Sequence, residues 1–443
     1  MAGVIKFYMY PEKQGLFFEQ PLVSMINSLQ SALTPDDHMA IFPEAMLKTP
    51  GLPNGLAVTS PFEKAILLPT LLRDPGCGFL LFKIKFNQLM PTGWQHTMGA
   101  ALHELMNAQP NAFQNISIKD RLQHGLKSLI KSTSDRDRFS ILSCPVDMTK
   151  INMTDEEKDL IQADNEQLTN TLEIKKVGAI YQPKLLKKYD LKENDYIGFI
   201  HSGTDRFPGI LGKRFYKKIA DYAFYNHLFS VAQIRSGVFG VHLNSSLGYD
   251  YYQWINAAMN FAITNRYLIY SRVKKFLENY FRCEVSIIND QVHAGLFLND
   301  TTNGKILESV RGIQKIKPQK NYLDLILLAG QKETVSFLAI GVNKKETLAS
   351  HGTSYQISTQ FNYHAEFAKD EIAQYLDYAG NAFYNTEPNL NDCIPLTYNL
   401  LLANQYFQKH KLSQPAAMLI PLINVQSNSL VAKLTASPEK EAA

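Results

Sequence analysis

Alternating apolar and polar positions predict several β-strands along this chain. The segment FLLFKIKF alternates from Phe79 to Phe86 with the two-residue period of a half-buried strand. Two more strand-like segments follow, TLEIKKV at 171–177 and YIGFI, which leads directly into His201. Short apolar runs predict further strands at 283–289, 323–329 and 335–341.

Helical spacing of apolar residues predicts helices at 94–108, 119–131, 213–229 and 249–281. DPGCG (74–78) predicts a tight turn, and the polar stretch SDRDR (134–138) predicts a surface loop. The sequence has no internal repeat and no Gly/Ser-rich or Pro-rich linker. We therefore predict one α+β domain over residues 1–430, with central β-sheets flanked by helices, and a polar tail at 431–443.

Composition limits the class of protein. Of the 443 residues, 45% are hydrophobic and 19% are charged, which excludes disordered and fibrous classes. No apolar run reaches the roughly 18 residues that a membrane-spanning helix needs. The start of the sequence also lacks the apolar stretch of a secretory signal. These features predict a soluble, cytoplasmic protein with no membrane partner.

Cysteine content, charge and missing motifs narrow the candidate chemistry. Four separated cysteines without a CxxC pair support neither a disulfide framework nor a zinc ribbon. The net charge of +4 is too small to indicate an anionic partner by itself. The GxxxxGK[ST], GxGxxG and GxSxG patterns are absent, which disfavours P-loop ATPases, Rossmann enzymes and serine hydrolases.

A few separated residues have side chains suited to metal binding or catalysis. Glycine and proline in DPGCG allow a sharp turn, so the Asp74 carboxylate and the Cys77 thiol can converge on one ion. His201 and His293 each follow a predicted strand, and small residues around His351 leave room for a bulky group. The alternatives are a buried cysteine beside a turn aspartate, and ordinary structural histidines.

Two groups of basic residues could follow an RNA backbone. They are Lys213, Arg214, Lys217 and Lys218, with Tyr216 available to stack on a base, and Arg311, Lys315, Lys317 and Lys320. The alternative is a solvated helix or loop face. RNA contact predicts binding that weakens steeply as the salt concentration rises.

Seven short motifs in order over residues 38–426 give the chain a family resemblance. They are DPGCG, TNTLEI, FIHSGTDR, MNFAITNR, DQVHAGL, VRG and SHGTS. The chain resembles the RtcB-type RNA-splicing ligases, whose pattern is DxGCGM, GNHFxE, HSGSRG, ANxAxANR, HN, VRKG and SHGAGR. That family joins an RNA 3′-phosphate or 2′,3′-cyclic phosphate to a 5′-hydroxyl, using manganese and GTP, through a guanylylated histidine.

The resemblance implies roles for individual residues, with His351 as the guanylylated histidine. The implied metal ligands are Asp74, Cys77, Asn170, His201 and His293. The implied nucleotide contacts are Glu173, which would contact guanine, Asn265, Gly352 and Thr353. The implied RNA contacts are Arg206, Lys213, Arg214, Arg266 and Arg311. Manganese is the family's ion, and zinc suits the same thiolate, imidazole and carboxylate ligands.

Several family positions carry other residues here. Asn170 stands in place of a metal-binding histidine, and its amide oxygen is a poorer ligand than imidazole. Residues near the phosphates are also replaced, by Asp205, Ser354, Tyr355 and Gln426, and no lysine follows Arg311. The leading hypothesis is an active ligase on RNA ends. The alternatives are a catalytically degenerate fold that binds RNA, nucleotide or protein, and a metal-dependent phosphohydrolase or a transferase that uses another nucleotide.

Overall fold

The structure is a computed structural model that describes most of the chain. The described residues are 4–7, 20–47, 53–108, 116–316, 324–330, 335–342, 348–352, 407–408 and 413–426. Several residues discussed above lie outside them, namely Lys317, Lys320, Thr353, Ser354, Tyr355 and the tail at 431–443.

Antiparallel pairing of distant segments builds the main sheet. In chain order the strands are β1 (Val4–Phe7), β2 (His38–Leu47), β3 (Pro53–Pro61), β4 (Ile66–Leu67), β5 (Gly78–Phe86), β6 (Thr171–Ile180), β7 (Tyr196–Ser202), β8 (Val241–His242), β9 (Cys283–Val292), β10 (Ala294–Thr301), β11 (Gly304–Arg311), β12 (Ile313–Lys315), β13 (Leu325–Leu328), β14 (Ser336–Gly341), β15 (Leu348–Ser350) and β16 (Ser413–Gln426). The main sheet has the order β13-β14-β16-β6-β7-β5-β9 and is antiparallel throughout. A second sheet has the order β1-β2-β3-β11-β10, and β12 with β15 and β4 with β8 form two small ribbons.

Helices of very different length connect and support these strands. The α-helices span Gln20–Ala32, Trp94–Asn107, Ile118–His124, Thr133–Arg136, Asp155–Ala163, Pro183–Leu186, Phe207–Leu211, Lys217–Tyr225, Val231–Arg235 and Ser246–Phe281. Short 3-10 turns occur at Phe62–Lys64, Gly125–Ser128, Met148–Lys150 and Lys187–Tyr189, and a π-helical turn spans Gly212–Tyr216. The predicted α+β class is confirmed.

The helix Ser246–Phe281, called the long helix below, is the central support of the fold. It begins where the Ser245 side chain accepts a hydrogen bond from Gly248 N, and it ends at Arg282 in the left-handed conformation (φ 50°). Most of its residues are buried around the whole circumference, which is typical of a core helix. It packs against β5, β7, β9 and β10. No helix in the described ranges is both long enough and apolar enough to cross a membrane.

The sequence predictions locate six of the seven strands of the main sheet, but β16 was not predicted. The predicted strands at 79–86, 171–177 and 283–289 correspond to β5, β6 and β9, and the YIGFI strand corresponds to β7. β13 and β14 lie within the two remaining predicted segments. The apolar periodicity was sufficient here because these strands are buried in the core.

One loop prediction and two helical predictions need correction. SDRDR is not a loop throughout, because Thr133–Arg136 forms one helical turn at the surface. The helix predicted at 119–131 ends at His124, since Gly125 has a φ of +54° and a Cβ there would lie 2.7 Å from Leu142 O. The helical segment predicted at 213–229 already begins at Phe207 and contains the π-helical turn.

Candidate active site

A glycine-containing turn fixes the position of Cys77. Cys77 N donates to Asp74 O at 3.3 Å, and Gly76 N donates to Ala294 O at 2.8 Å. Gly76 has a φ of +89°, and a Cβ there would lie 2.5 Å from the Ala262 Cβ on the long helix. Glycine is therefore required at this position, and it seats Cys77 against the long helix at the start of β5.

The strand order β7-β5-β9 brings two histidines to Cys77. β5 begins opposite the ends of both β7 and β9. His201 is the second-last residue of β7, and His293 directly follows β9. His293 N donates to Cys77 O at 2.9 Å. Three residues that are far apart in the sequence therefore meet at one end of the main sheet.

The thiol of Cys77 and the two imidazoles face one another. Cys77 Sγ lies 3.4 Å from His201 Nε2, which in turn lies 3.0 Å from His293 Nε2. One potential ligand atom from each residue lies within 4.8 Å of the other two. Cys77 and His293 are buried, whereas His201 is partly exposed. A sulfur and two imidazole nitrogens around one point fit a transition-metal ion such as zinc, and the His201 side faces solvent.

His351 joins this cluster through aromatic contacts. Its ring centroid lies 4.8 Å from that of His293 and 6.2 Å from that of Phe79. Phe79 also contacts the rings of His201 and His293, at centroid distances of 4.6 and 5.0 Å. The three histidines are thus packed around one phenylalanine, which limits the directions in which their nitrogens can point.

The backbone around His351 is fixed by close contacts with the end of β13. His351 O accepts a hydrogen bond from Ala329 N at 3.2 Å. Gly352 has a φ of +140°, and a Cβ there would lie 2.2 Å from Ala329 O. Gly352 N donates to Ser350 Oγ at 3.2 Å. The residue after His351 must therefore be glycine, as the SHG motif has it.

Asp74 and Asn170 border the three-residue cluster. Asn170 Nδ2 lies 3.6 Å from Cys77 Sγ. Asp74 packs against the loop after β7, since a Cβ on Gly203 would lie 2.6 Å from Asp74 Oδ1. Among histidine, cysteine and acidic groups of the described residues, Cys77, His201 and His293 form the one cluster with metal-binding geometry. The structure thus contains one three-ligand position, with Asn170 beside its sulfur.

A buried ion pair on β6 leads towards the His351 loop. Glu173 Oε2 lies 3.1 Å from Lys175 Nζ, which donates to Ser336 Oγ at 2.8 Å. Ser336 Oγ also accepts from Gly330 N at 3.0 Å, one residue beyond the segment that binds the His351 backbone. Burial raises the pKa of Glu173 and lowers the pKa of Lys175, while the attraction between the two side chains opposes both shifts.

Comparison with known proteins agrees with this geometry. A family model described as "tRNA-splicing ligase RtcB" matches residues 83–427. The chain belongs to the RtcB family. A tRNA-splicing ligase RtcB from Thermococcus kodakarensis is 25% identical over 228 residues, which are 46% of this chain and 47% of that protein. The alignment thus spans about half the length of that relative.

The match to the RtcB family begins after the DPGCG turn. Asp74 and Cys77 precede the matched range, so their place in the site rests on the turn and on the pairing of β5 with its neighbours. His201, His293 and His351 lie inside the matched range. Recognition of the family from its motifs is confirmed.

In this RtcB-family chain the Arg266 side chain forms hydrogen bonds to the segments that carry the site residues. Its Nη1 donates to Gly76 O and to Ser202 O, both at 2.7 Å. Its Nε and Nη2 donate to the two carboxylate oxygens of Asp290, at 2.5 and 2.9 Å. Arg266 is fully buried. The resemblance implied RNA contact for Arg266, but its donors are occupied by the turn before β5 and by the ends of β7 and β9.

The two asparagines of the helix motif also serve the fold. Asn265 Oδ1 accepts from Glu166 N at 2.6 Å, and its Nδ2 donates to Gln167 O at 3.3 Å. Asn260 accepts from Cys144 N at 2.6 Å and donates to Cys144 O at 2.9 Å. Both side chains are fully buried. Asn265 was predicted to contact the nucleotide, but its side chain is bonded to protein groups and shielded from solvent.

Two of the other predicted RNA-binding residues, Arg206 and Arg214, already have protein partners. Arg206 Nε lies 3.4 Å from Asp164 Oδ1. Arg214 forms an ion pair with Glu157, and its Cζ lies 4.4 Å from the centroid of the Trp254 ring. Lys213 is exposed. The first basic group is therefore partly a packing feature of the π-helical turn rather than a free cationic face.

The second basic group is also divided. Lys315 is buried, forms an ion pair with Glu308, and lies with its Nζ 5.8 Å from the Phe297 ring centroid. The prediction that Lys315 follows an RNA backbone is wrong, because its ammonium group faces the protein interior. Arg311 instead ends β11 opposite Ala294, next to His293.

Sequence reasoning missed Lys175 and Phe79 as neighbours of the site. Lys175 lies two residues after Glu173 on a strand, so the period of two already places both on the same face. Phe79 begins the alternating FLLFKIKF segment, and its contact with three histidines depends on the pairing of β5 with β7 and β9. Lys175 could have been found from the sequence, whereas Phe79 could not.

Proposed function

We propose that this chain is a metal- and GTP-dependent RNA ligase. Its substrates are RNA 3′-phosphate or 2′,3′-cyclic phosphate ends and 5′-hydroxyl ends. Membership of the RtcB family supports an RNA-ligase type of activity. The observation that carries the proposal is the convergence of Cys77, His201 and His293, with the His351 ring 4.8 Å from His293.

The proposal gives each of these residues a role. Cys77, His201 and His293 would hold one divalent ion, manganese or zinc, which neutralises charge on phosphate oxygens. His351 in its neutral form is the nucleophile for the α-phosphorus of GTP. Its N–P bond forms as the bond between the α- and β-phosphates breaks and pyrophosphate leaves. Glu173 would accept hydrogen bonds from the guanine base.

Two transfers complete the reaction. The RNA 3′-phosphate attacks the phosphorus on His351, the N–P bond breaks, and GMP is joined to the RNA end. The 5′-hydroxyl of the second RNA then attacks the 3′-phosphorus, releases GMP and loses its proton. Splitting the reaction in this way lets GMP leave from the 3′-phosphorus in place of a non-bridging oxygen, which would otherwise leave as hydroxide and is a very poor leaving group.

The first step can be tested directly with α-labelled GTP in the presence of manganese or zinc. We expect acid-labile label on the wild-type chain, and none on His351→Ala or Cys77→Ala. His124→Ala, an exposed histidine outside the site, is the matched control and should keep the label. The proposal would be refuted if His351→Ala were labelled. It would also be refuted if the wild type took up no label with either metal and several nucleotides.

A second candidate function is a catalytically degenerate RtcB fold that binds RNA, nucleotide or protein. Two observations favour it, Asn170 beside the Cys77 sulfur in place of a histidine and the ion pair that engages Arg206. This alternative predicts binding of GTP or RNA without covalent label. The labelling experiment together with equilibrium binding of the same ligands separates the two functions.

A further inference from the structure

A row of side chains crosses four strands of the main sheet at the level of the three-residue cluster. Strand pairing places Phe79 opposite His201, His201 opposite Thr171, and Thr171 opposite Gln426. Residues directly opposite each other in antiparallel strands project from the same face of the sheet. Because Phe79 and His201 contact each other at the cluster, this is the face that carries the candidate active site.

A second row lies two residues further along the same strands. Here Phe199 is paired with Glu173, and Glu173 is paired with Asn424. Side chains two residues apart on a strand share a face, and Thr171 Oγ1 indeed donates to Glu173 Oε1 at 3.4 Å. Directly paired residues have Cβ atoms about 4.5–5.5 Å apart. Glu173 and Asn424 are therefore neighbours on the face of the candidate site.

The amide group of Asn424 is shielded from solvent but makes no hydrogen bond. Both Nδ2 and Oδ1 lack a partner among the described residues, although the Glu173 carboxylate lies on the adjacent strand. An amide that is shielded in this way loses its bonds to water without replacing them. Asn424 thus keeps a donor and an acceptor for a group that enters beside Glu173.

The carboxylate of Glu173 is held by contacts that do not involve Asn424. Its Oε2 lies 3.1 Å from Lys175 Nζ, and the same ammonium group donates to Ser336 Oγ at 2.8 Å. Lys175 is fully buried, so its ammonium group cannot move out into solvent. The carboxylate is therefore fixed beside an amide whose hydrogen-bonding atoms are both unused.

We propose that Asn424 is a specificity-determining residue of the nucleotide site, and that its Nδ2 donates to O6 of guanine while Glu173 accepts from N1–H and the 2-amino group. This inference rests on the proposed ligase function for the identity of the nucleotide. Guanine presents one acceptor, O6, beside these two donors. A carboxylate complements the donors alone, whereas a carboxylate next to an amide complements all three groups. Adenine presents an acceptor at N1, which repels the carboxylate.

The experiment measures the equilibrium binding of GMP, IMP and AMP by calorimetry. These monophosphates have no pyrophosphate to release, so no transfer to His351 occurs. Asn424→Leu removes the amide at similar volume, and we expect about tenfold weaker binding of GMP and of IMP, since both carry O6. AMP lacks O6 and should bind weakly and equally to both proteins. Asn279→Leu, at an exposed position of the long helix, is the matched control and should bind all three as the wild type does.

A second variant keeps the test decisive if Asn424→Leu does not fold, which circular dichroism would reveal. Asn424→Asp keeps the size of the side chain but cannot donate to O6, so we expect at least about a tenfold loss for GMP. The proposal is overturned if the folded variants keep the wild-type affinity for GMP. It is also overturned if GMP and AMP weaken by the same factor, or if the wild type does not prefer GMP to AMP.

The outcome is separable from that of the labelling experiment. A preference for GMP that depends on Asn424, with no label on His351, would refute the ligase function and keep the base-reading role. Label on His351 with an unchanged preference in the Asn424 variants would refute that role and keep the function.

Discussion

The thiol–imidazole cluster and the Arg266 side chain of the long helix meet the same strand ends, but the two groups of residues use their side chains in different ways. Cys77, His201 and His293 turn their heteroatoms towards one another, and one of the three is partly exposed. The side chains of Arg266 and Asn265 instead donate hydrogen bonds to backbone carbonyl and carboxylate groups of the protein. Both sets belong to the motifs that carry the resemblance to the RtcB family.

This difference teaches that a motif can contain two kinds of residue. Ligand-facing residues leave heteroatoms directed at a common point. Scaffold residues fill their hydrogen-bonding capacity within the protein, because a buried charge or amide without partners is strongly destabilising. Arg266 joins the DPGCG turn, the end of β7 and the end of β9, which are the three segments that carry Cys77, His201 and His293. The scaffold set therefore positions the ligand set.

The largest expected effect is on the scaffold side. Arg266→Met leaves Asp290 as an unpaired buried charge, and we expect a loss of about 3–5 kcal/mol in the free energy of unfolding. Urea denaturation measures it, with exposed Arg235→Met as the control that should change stability by less than about 0.5 kcal/mol. A loss below about 1 kcal/mol for Arg266→Met would remove the distinction between the two sets.

A smaller, pH-dependent effect is expected at Asp164, which is buried near this scaffold. Burial is the main cause that raises its pKa from 3.8 to about 6. The folded state then binds a proton that the unfolded state has released, so the stability contribution falls as pH rises from about 4 to about 6. Relative to Asp164→Asn, the wild type should lose up to about 3 kcal/mol over this range.

Denaturation curves at several pH values between 4 and 7 test this expectation for Asp164. The asparagine can still accept a hydrogen bond from Arg206 N, which lies 2.8 Å from Asp164 Oδ2. If stability changes with pH in the same way for the wild type and Asp164→Asn, burial does not raise the pKa of the Asp164 carboxyl group. If the stability of the wild type rises with pH relative to the variant, the pKa of Asp164 is lowered in the folded state, contrary to this prediction.

On the ligand side we expect little change in stability and a large change in metal content. His201→Ala should cost about 1 kcal/mol, because the residue is partly exposed. It should also remove the tightly bound equivalent of zinc or manganese, measured by elemental analysis after removal of loosely bound ions. Exposed His124→Ala should keep that equivalent. Equal metal content in the two variants would place the ion elsewhere.

The smallest change in stability is expected at the border of the cluster. Asn170→His adds an imidazole beside the Cys77 sulfur, where the amide nitrogen now lies 3.6 Å away. We expect the free energy of unfolding to change by less than about 0.5 kcal/mol and metal analysis to find a second equivalent. An unchanged metal stoichiometry would contradict the alignment of Asn170 with the family's histidine.

The sequence indicated much of the site, and the reason differs from residue to residue. His201 and His293 were candidates because each follows a predicted strand, and Asp74 and Cys77 because glycine and proline surround them. Lys315 misled the sequence analysis because charge along the chain does not show which side of a strand is buried.

Local rules were enough for six of the seven strands of the main sheet, all except β16, and for the glycine positions, because apolar periodicity and backbone strain act over a few residues. The order of seven motifs was likewise enough to place the chain in the RtcB family. The tertiary structure alone decided that β5 lies between β7 and β9, and hence that Cys77, His201 and His293 meet. It also decided that Arg266 faces inward, because burial and hydrogen bonding depend on contacts between segments that the sequence separates by up to about 190 residues.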